Sequence, residues 1–444
     1  MGRGASNGRS VTTNSRKRPR KAVRALRLLP SLSLFDATAI SVGAIVGAGI
    51  YVVTGIAAGF AGSAVVVSML VAALVSSLTA LSFAELTAWS PREGSVYEYA
   101  HELISPFAGF LAGWMWILSN TFAGAAVALG FAHYLVAIFP IAPANWVAAC
   151  ICLVFTVLNY FGIRHSARVN NVLVVAKLLI LGFFIAFGFT HINLANFTPF
   201  VFLDSGVMYG AYFIFFAYGG FARVAVVAEE VKDAKRNVPR AILLSLAIST
   251  IVYVFVAIVA VGLVSPAQLA SSGSPLAFAI STTGSALAVY TVSLGALIAT
   301  ASVLLTTILG VSRMTYAMAK EHDLPRALSR IHPRHNTPHY AVLLVGALAA
   351  LLALFVNLSG VVTISTFALL FYYVLANIAA FRLPAQNRSR SRLVPVLGAA
   401  SCLVLLVVAL FVSLQSWLLG VIGLGIGACY YLGKTLLDRR KHTH

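Results

Sequence analysis

Apolar residues run along this chain in blocks of about twenty, separated by short polar stretches. An α-helix rises about 1.5 Å per residue and satisfies its own backbone hydrogen bonds, so a block of that length suits the hydrocarbon core of a bilayer. The blocks predict twelve helices, over about residues 36–59, 63–88, 104–138, 144–163, 168–190, 205–228, 240–263, 286–318, 339–357, 359–384, 393–413 and 415–435. The third and eighth are long enough to tilt or to extend beyond the bilayer. The fold class is therefore an all-α polytopic membrane protein.

The basic residues orient these blocks. Nine of the 31 lysines and arginines precede residue 31. Others fall in the connections after spans 2, 4, 6, 8 and 10 and after span 12, while the connections after spans 3, 5, 7, 9 and 11 contain none. This alternation predicts that both termini are cytoplasmic, and one helix more or fewer would scramble it. Composition agrees: 60% of the 444 residues are hydrophobic, 10% are charged, and mean hydropathy is +0.93.

Residues 1–30 read as a basic cytoplasmic tail without the short apolar core of a signal peptide. Its segment RKRPRKAVRALR resembles a nucleic-acid patch, but its place before a span suits an orientation signal or contact with anionic lipid. The net charge of +19 thus requires no nucleic acid partner. Cys150, Cys152, Cys402 and Cys429 lie in apolar runs and read as small buried residues rather than disulfides or metal ligands. No cofactor or metal is expected. The chain lacks H-E-x-x-H, paired carboxylates within spans and G-x-x-x-x-G-K-[ST], which disfavours an enzyme or a primary pump.

Two spans carry glycines where a continuous helix would avoid them. GAIVGAGIY holds Gly43, Gly47 and Gly49. Gly43 and Gly47 suit close helix packing, but Gly49 lies on a different side. FFAYGGFARVAVVAEEV places Gly219 and Gly220 together in mid-span, five helices later. Each group alone reads as a packing face. Together, at matching places in successive five-helix units, they point to an inverted-repeat transporter with its substrate where two helix breaks meet.

Four stretches then carry a resemblance. GAIVGAGIY, SPREGSVYEYAHELISPFAGFLAGW, FFAYGGFARVAVVAEEVKDAKRNVPRAI and GVSRMTYAMAKEHDLP resemble, in order and spacing, the amino acid–polyamine–organocation superfamily of permeases across about residues 31–440. The resemblance implies a leucine-transporter-type fold with helices 1 and 6 discontinuous. Residues 31–190 would form one five-helix repeat, 191–384 its inverted partner, and 385–444 two further helices with a short cytoplasmic C-terminus. It implies that the N–H groups of Ala48 and Gly49 meet a substrate carboxylate. The carbonyls of Ile45, Phe216, Ala217 and Gly219 would meet its ammonium, and the Phe216 ring would close over it. The chain departs from its relatives at Ala222, where an acidic residue is frequent.

Two charges fall inside spans. Lys177 sits near the middle of span five and should face the protein interior, since a lysine at the bilayer centre costs about 2.5–3.5 kcal/mol. A desolvated lysine can release a proton near neutral pH, and some permeases of this superfamily carry one where sodium-coupled relatives hold the ion. Lys177 is thus a candidate for proton coupling, or a permanently charged residue that pins the first and eighth helices. Arg223 lies in the second half of span six. It either joins a gating ion network with Asp36 and Glu85 or reaches the interface. The charged segment EEVKDAKRNVPRA reads as a solvated loop ending at Pro239.

The expected function is secondary active amino acid transport by alternating access in the cell membrane. Small or medium neutral amino acids would enter with protons, because Ala48, Ala217, Gly219 and Ala222 offer no counter-charge to a cationic substrate. Asn120, Ser302 and Ser365 are further polar candidates. A proton-independent exchanger and a non-transporting amino acid sensor remain alternatives, and nothing in the sequence bears on oligomeric state.

Overall fold

A computed structural model describes residues 2, 31–91, 95–140, 142–162, 167–335 and 337–442. The basic tail lies outside the described residues, as do positions 92–94 of the SPREGSVYEY segment. Sixteen α-helices follow in order. They are α1 (Leu34–Ile45), α2 (Thr54–Ala61), α3 (Val65–Trp89), α4 (Ser95–Leu103), α5 (Pro106–Ile138), α6 (Ala144–Tyr160), α7 (Ala167–Phe189) and α8 (Ser205–Tyr218). Then come α9 (Ala234–Leu263), α10 (Pro266–Ser271), α11 (Pro275–Ser281), α12 (Ala286–Lys320), α13 (His339–Phe355), α14 (Leu358–Arg382), α15 (Leu393–Val412) and α16 (Leu414–His442).

Among the described residues, nine helical stretches are long and apolar enough to cross a membrane, and α6 and α13 are shorter apolar helices. The first stretch, Leu34–Trp89, reverses at Gly62, whose φ of 60° only glycine adopts without strain. The chain is thus a helical polytopic membrane protein. Large apolar side chains such as Leu179, Leu287 and Phe355 point outward, as lipid requires. The interior is built from small residues: Ala125, Ala126, Ala128 and Ala132 of α5 are all buried, which lets backbones approach closely.

The packing pairs elements in a reciprocal way. Helix α3 packs on α8, and α9 packs on α1; α5 packs on α14, and α12 on α7. Helix α3 also meets α9, α5 meets α12, and α6 meets α13. Near the start of α1, the Leu32 carbonyl accepts from Lys232 N at 2.9 Å, while Ser31 N and Leu32 N donate to the Glu230 carbonyl at 2.9 Å each. This ties the segments leading into α1 and α9.

Two expectations need correction, and one helix is additional. The charged loop does not run to Pro239: α9 already begins at Ala234, after a left-handed Asp233 with φ 47°. The Asp233 carbonyl accepts from Arg236 N and Asn237 N at 2.9 Å each, and a proline near the first turn is tolerated. The amphipathic α4 was not foreseen between spans two and three; its Tyr97 hydroxyl donates to Asp323 at 2.8 Å, and Asp323 pairs with Lys434 at 3.2 Å. Burial and the Asp323 carboxylate push the Tyr97 phenol well above its usual range. Finally, Cys150 and Cys429 are exposed on the apolar outer surface; Cys152 and Cys402 are buried as expected.

The first span breaks after Ile45, resumes as a π-turn over Gly49–Val53 and continues as α2. The span containing α8 ends its α-helix at Tyr218 and continues as a 3-10 segment over Phe221–Glu230, with a non-helical Val227. The two interruptions lie against each other. A methyl group on Gly220 would sit 2.5 Å from Ile45 N, and one on Gly49 would sit 2.5 Å from the Ala217 Cα. Glycine is required at both points by backbone proximity, not by backbone angle. Gly220→Ala is expected to destabilise the folded protein by about 1–3 kcal/mol, read as a lower melting temperature in detergent. Gly182→Ala, on an exposed face with open space around it, should instead raise stability by about 0.5–1 kcal/mol. Equal melting temperatures for the two variants would contradict the contact.

Candidate functional site

The breaks expose backbone groups that must find partners inside the protein. On the first span, Val46 N closes the last turn on the Val42 carbonyl at 2.8 Å. The Gly43 and Val46 carbonyls accept from Lys177 Nζ at 3.2 and 3.4 Å. The Ile45 carbonyl accepts from the Tyr253 hydroxyl at 2.8 Å, and the same hydroxyl faces the Ala217 carbonyl at 3.3 Å. One phenol on α9 therefore spans both interruptions. On the other side, the Phe216 carbonyl accepts from Gly219 N and the Gly219 carbonyl from the Tyr373 hydroxyl, both at 3.1 Å. Ser41 donates to the Phe221 carbonyl at 3.1 Å. The amide groups of Gly47 and Ala48 have no backbone acceptor among the described residues.

A cavity opens beside this crossing, about 510 Å³ in volume and partly continuous with the outside. Ile45, Gly47, Ala48 and Gly49 line it from the first span, and Phe216, Ala217, Gly219 and Gly220 from the other. Every residue that the resemblance named for substrate contact thus borders one space. Of the expected break residues, Gly47, Gly49, Gly219 and Gly220 line it too, whereas Gly43 is still helical and packs on Val174 and Asn170 of α7.

The remaining walls come from α5, α12 and α14. Ser119 and Ser365 bond each other's carbonyls at 2.9 and 2.8 Å, which ties α5 to α14. Asn120 Nδ2 donates to the Trp116 carbonyl at 2.9 Å. Ser302 bonds its own helix at the Ala299 carbonyl and does not reach the cavity. Ala222 does not line the cavity either; its neighbour Arg223 does. Arg223 Nη2 donates to Asn120 Oδ1 and Thr307 Oγ1, each at 3.1 Å.

The gating trio is not joined in this structure. Asp36 accepts from Ser33 N at 2.8 Å and from Asn171 Nδ2 at 2.6 Å, capping the start of α1. Glu85 accepts from Ser389 N at 3.1 Å and from its hydroxyl at 3.2 Å. Arg223 meets neither. The sequence reasoning also missed Tyr253 and Tyr373. A tyrosine in the middle of an apolar span signals a hydroxyl with an appointed acceptor, and both tyrosines are fully buried.

Fold and cavity together define a helical membrane protein whose interrupted spans border one shared cavity. The chain belongs to the amino acid permease family, which it matches over residues 32–419, within the amino acid–polyamine–organocation superfamily. It is 36% identical over 418 residues to an uncharacterized transporter of Mycobacterium tuberculosis, covering 92% of each chain. It is 31% identical to a branched-chain amino acid permease of Bacillus subtilis, with 93% of each chain covered. Against a methylthioribose transporter of the same organism the identity is 33%, over 94% of this chain and 95% of the relative.

Removing the bridging hydroxyl tests the geometry of the crossing. Tyr253→Phe should cost about 1–3 kcal/mol, since the Ile45 carbonyl is left without its buried donor. The loss is expected as a lowered melting temperature of the purified protein. An unchanged melting temperature would show that the hydroxyl does not carry that contact.

Proposed function

We propose that this chain is a proton-coupled amino acid symporter of the cell membrane that works by alternating access. The observation that carries the reading is the meeting of two broken helices at one cavity, with the free amides of Gly47 and Ala48 on one side and turned-out carbonyls on the other. Such a pair of ends suits the carboxylate and ammonium of an α-amino acid. Ala48 and Gly49 hold the carboxylate end. Ile45, Phe216, Ala217 and Gly219 offer carbonyls to the ammonium; a carbonyl has a second lone pair, so those bonded to Tyr253 and Tyr373 can still accept.

In this reading twelve spans form two inverted five-helix repeats, over 31–190 and 191–384, followed by two helices over 385–444. Both termini face the cytoplasm. The reciprocal packing supports the repeat: exchanging the first five spans for the next five turns the α3–α8 contact into the α9–α1 contact, and α5–α14 into α12–α7. The basic connections support the orientation.

Lys177 carries the coupling proton. Its Nζ is buried, and its two hydrogen-bond partners are neutral carbonyls at the end of α1. Charged, it holds that end to α7. Neutral, it keeps fewer donors and no charge, so α1 is freed to move. The substrate is an amino acid without a cationic side chain, the small and medium neutral ones included, because no carboxylate lines the cavity among the described residues. The branched-chain permease among its relatives supports an amino acid; the methylthioribose transporter makes that sugar a necessary control.

Purified protein in liposomes tests the reading with labelled amino acids, with methylthioribose as control. Wild type should accumulate an amino acid when the outside is acidic. Lys177→Met should abolish that accumulation while still exchanging internal for external amino acid at equal pH. Full gradient-driven uptake by Lys177→Met would reject proton coupling. Uptake that needs internal amino acid and ignores pH would indicate an exchanger, and binding without uptake a sensor.

A further inference from the structure

Arg223 is a cation at the wall of the cavity with no counter-ion among the described residues. It reaches Asn120 and Thr307 only through Nη2, and both acceptors are neutral. No partner is seen for its Nε or Nη1 among the described residues. Among the described residues no carboxylate lines the cavity, and Asp36 and Glu85 are engaged elsewhere. A guanidinium presents a planar fork of donors that matches a carboxylate with two parallel bonds. Holding one inside a membrane span against neutral groups alone is unfavourable, which is why such charges serve function.

The position of Arg223 sharpens this. Its backbone belongs to the 3-10 segment just after the second interruption, so it lies beside the groups proposed for the ammonium but comes from a different turn. Residue 223, and not 222, lies on the cavity wall. Asn120 on α5 and Thr307 on α12 fix the guanidinium from two further helices, leaving its remaining donors for a solute. The free amides of Gly47 and Ala48 on the first span form a separate acceptor-seeking group. The cavity thus offers two anion-binding positions, one of amides and one of guanidinium.

Resting on the amino acid transport proposed above, we infer that Arg223, oriented by Asn120 and Thr307, forms a side-chain subsite for a second carboxylate. The favoured substrates are amino acids with an anionic side chain, of the aspartate and glutamate kind. The amides of the first break take the α-carboxylate, and Arg223 takes the distal one. Lysine and arginine are repelled.

The test is ligand-dependent thermal stabilisation of the purified full chain, titrated with L-aspartate, L-glutamate, L-asparagine, L-glutamine, L-valine and L-lysine. In wild type one of the acids should bind about 10- to 100-fold more tightly than its amide. Arg223→Gln should bring that ratio close to one. Asn120→Asp supplies a carboxylate beside the guanidinium and should remove the acid preference as well; it decides the matter if Arg223→Gln does not fold. An acid-to-amide ratio at or below one in wild type overturns the subsite. So does an equal weakening of acids and amides by Arg223→Gln, which would assign the guanidinium to the α-carboxylate. Stabilisation by valine but by neither acid defeats the subsite alone. Stabilisation by no amino acid defeats the transport reading with it.

Discussion

Every peptide group within a bilayer has to be hydrogen-bonded by the protein itself, and two spans of this chain give up that bonding near their middle. The fold is arranged around repairing the loss. Tyr253 reaches the Ile45 carbonyl and faces that of Ala217, Lys177 reaches two carbonyls at the end of α1, and Tyr373 reaches Gly219. These donors come from α9, α7 and α14, so the helices that surround the crossing are also the ones that satisfy it. The repair reaches the carbonyls of Gly43, Ile45, Val46, Ala217 and Gly219 and leaves the Gly47 and Ala48 amides without a backbone acceptor among the described residues. In the proposed function those amides are what a solute uses.

The charges obey the same logic. Lys177 and Arg223 are both held by neutral oxygen atoms, and neither has a carboxylate partner among the described residues. A cation in hydrocarbon is stable only when dipoles replace its water. Lys177 sits behind the break and bonds backbone; Arg223 sits at the cavity wall and bonds side chains. In the proposed mechanism the first responds to movement of α1 and the second to what occupies the cavity. Substrate selection and coupling would then rest on different residues that share one pair of interrupted helices.

Much of this was legible in the sequence because a bilayer imposes a length and a sidedness. Helices such as α5, α12 and α14 start and stop within a few residues of the apolar blocks at 104–138, 286–318 and 359–384. The glycines marked the crossing, because only glycine lets the Gly49 and Gly220 backbones touch Ala217 and Ala44. Position along the span did not reveal partners. Arg223 was read as joining Asp36 and Glu85 or reaching the interface, since the sequence does not show its partners; in this structure it bonds Asn120 and Thr307. Tyr253 was hidden among apolar neighbours, since one hydroxyl barely alters hydropathy while deciding where a carbonyl finds its donor.

The most direct test of the central claim is a cryo-electron microscopy structure of the full chain with a bound amino acid. The account predicts density between the two interruptions, with its carboxylate on the amides of Gly47 to Gly49 and its ammonium toward the Ile45 and Phe216 carbonyls. Continuous α-helix through residues 43–53 and 216–225, or an amino acid bound away from the crossing, would contradict it.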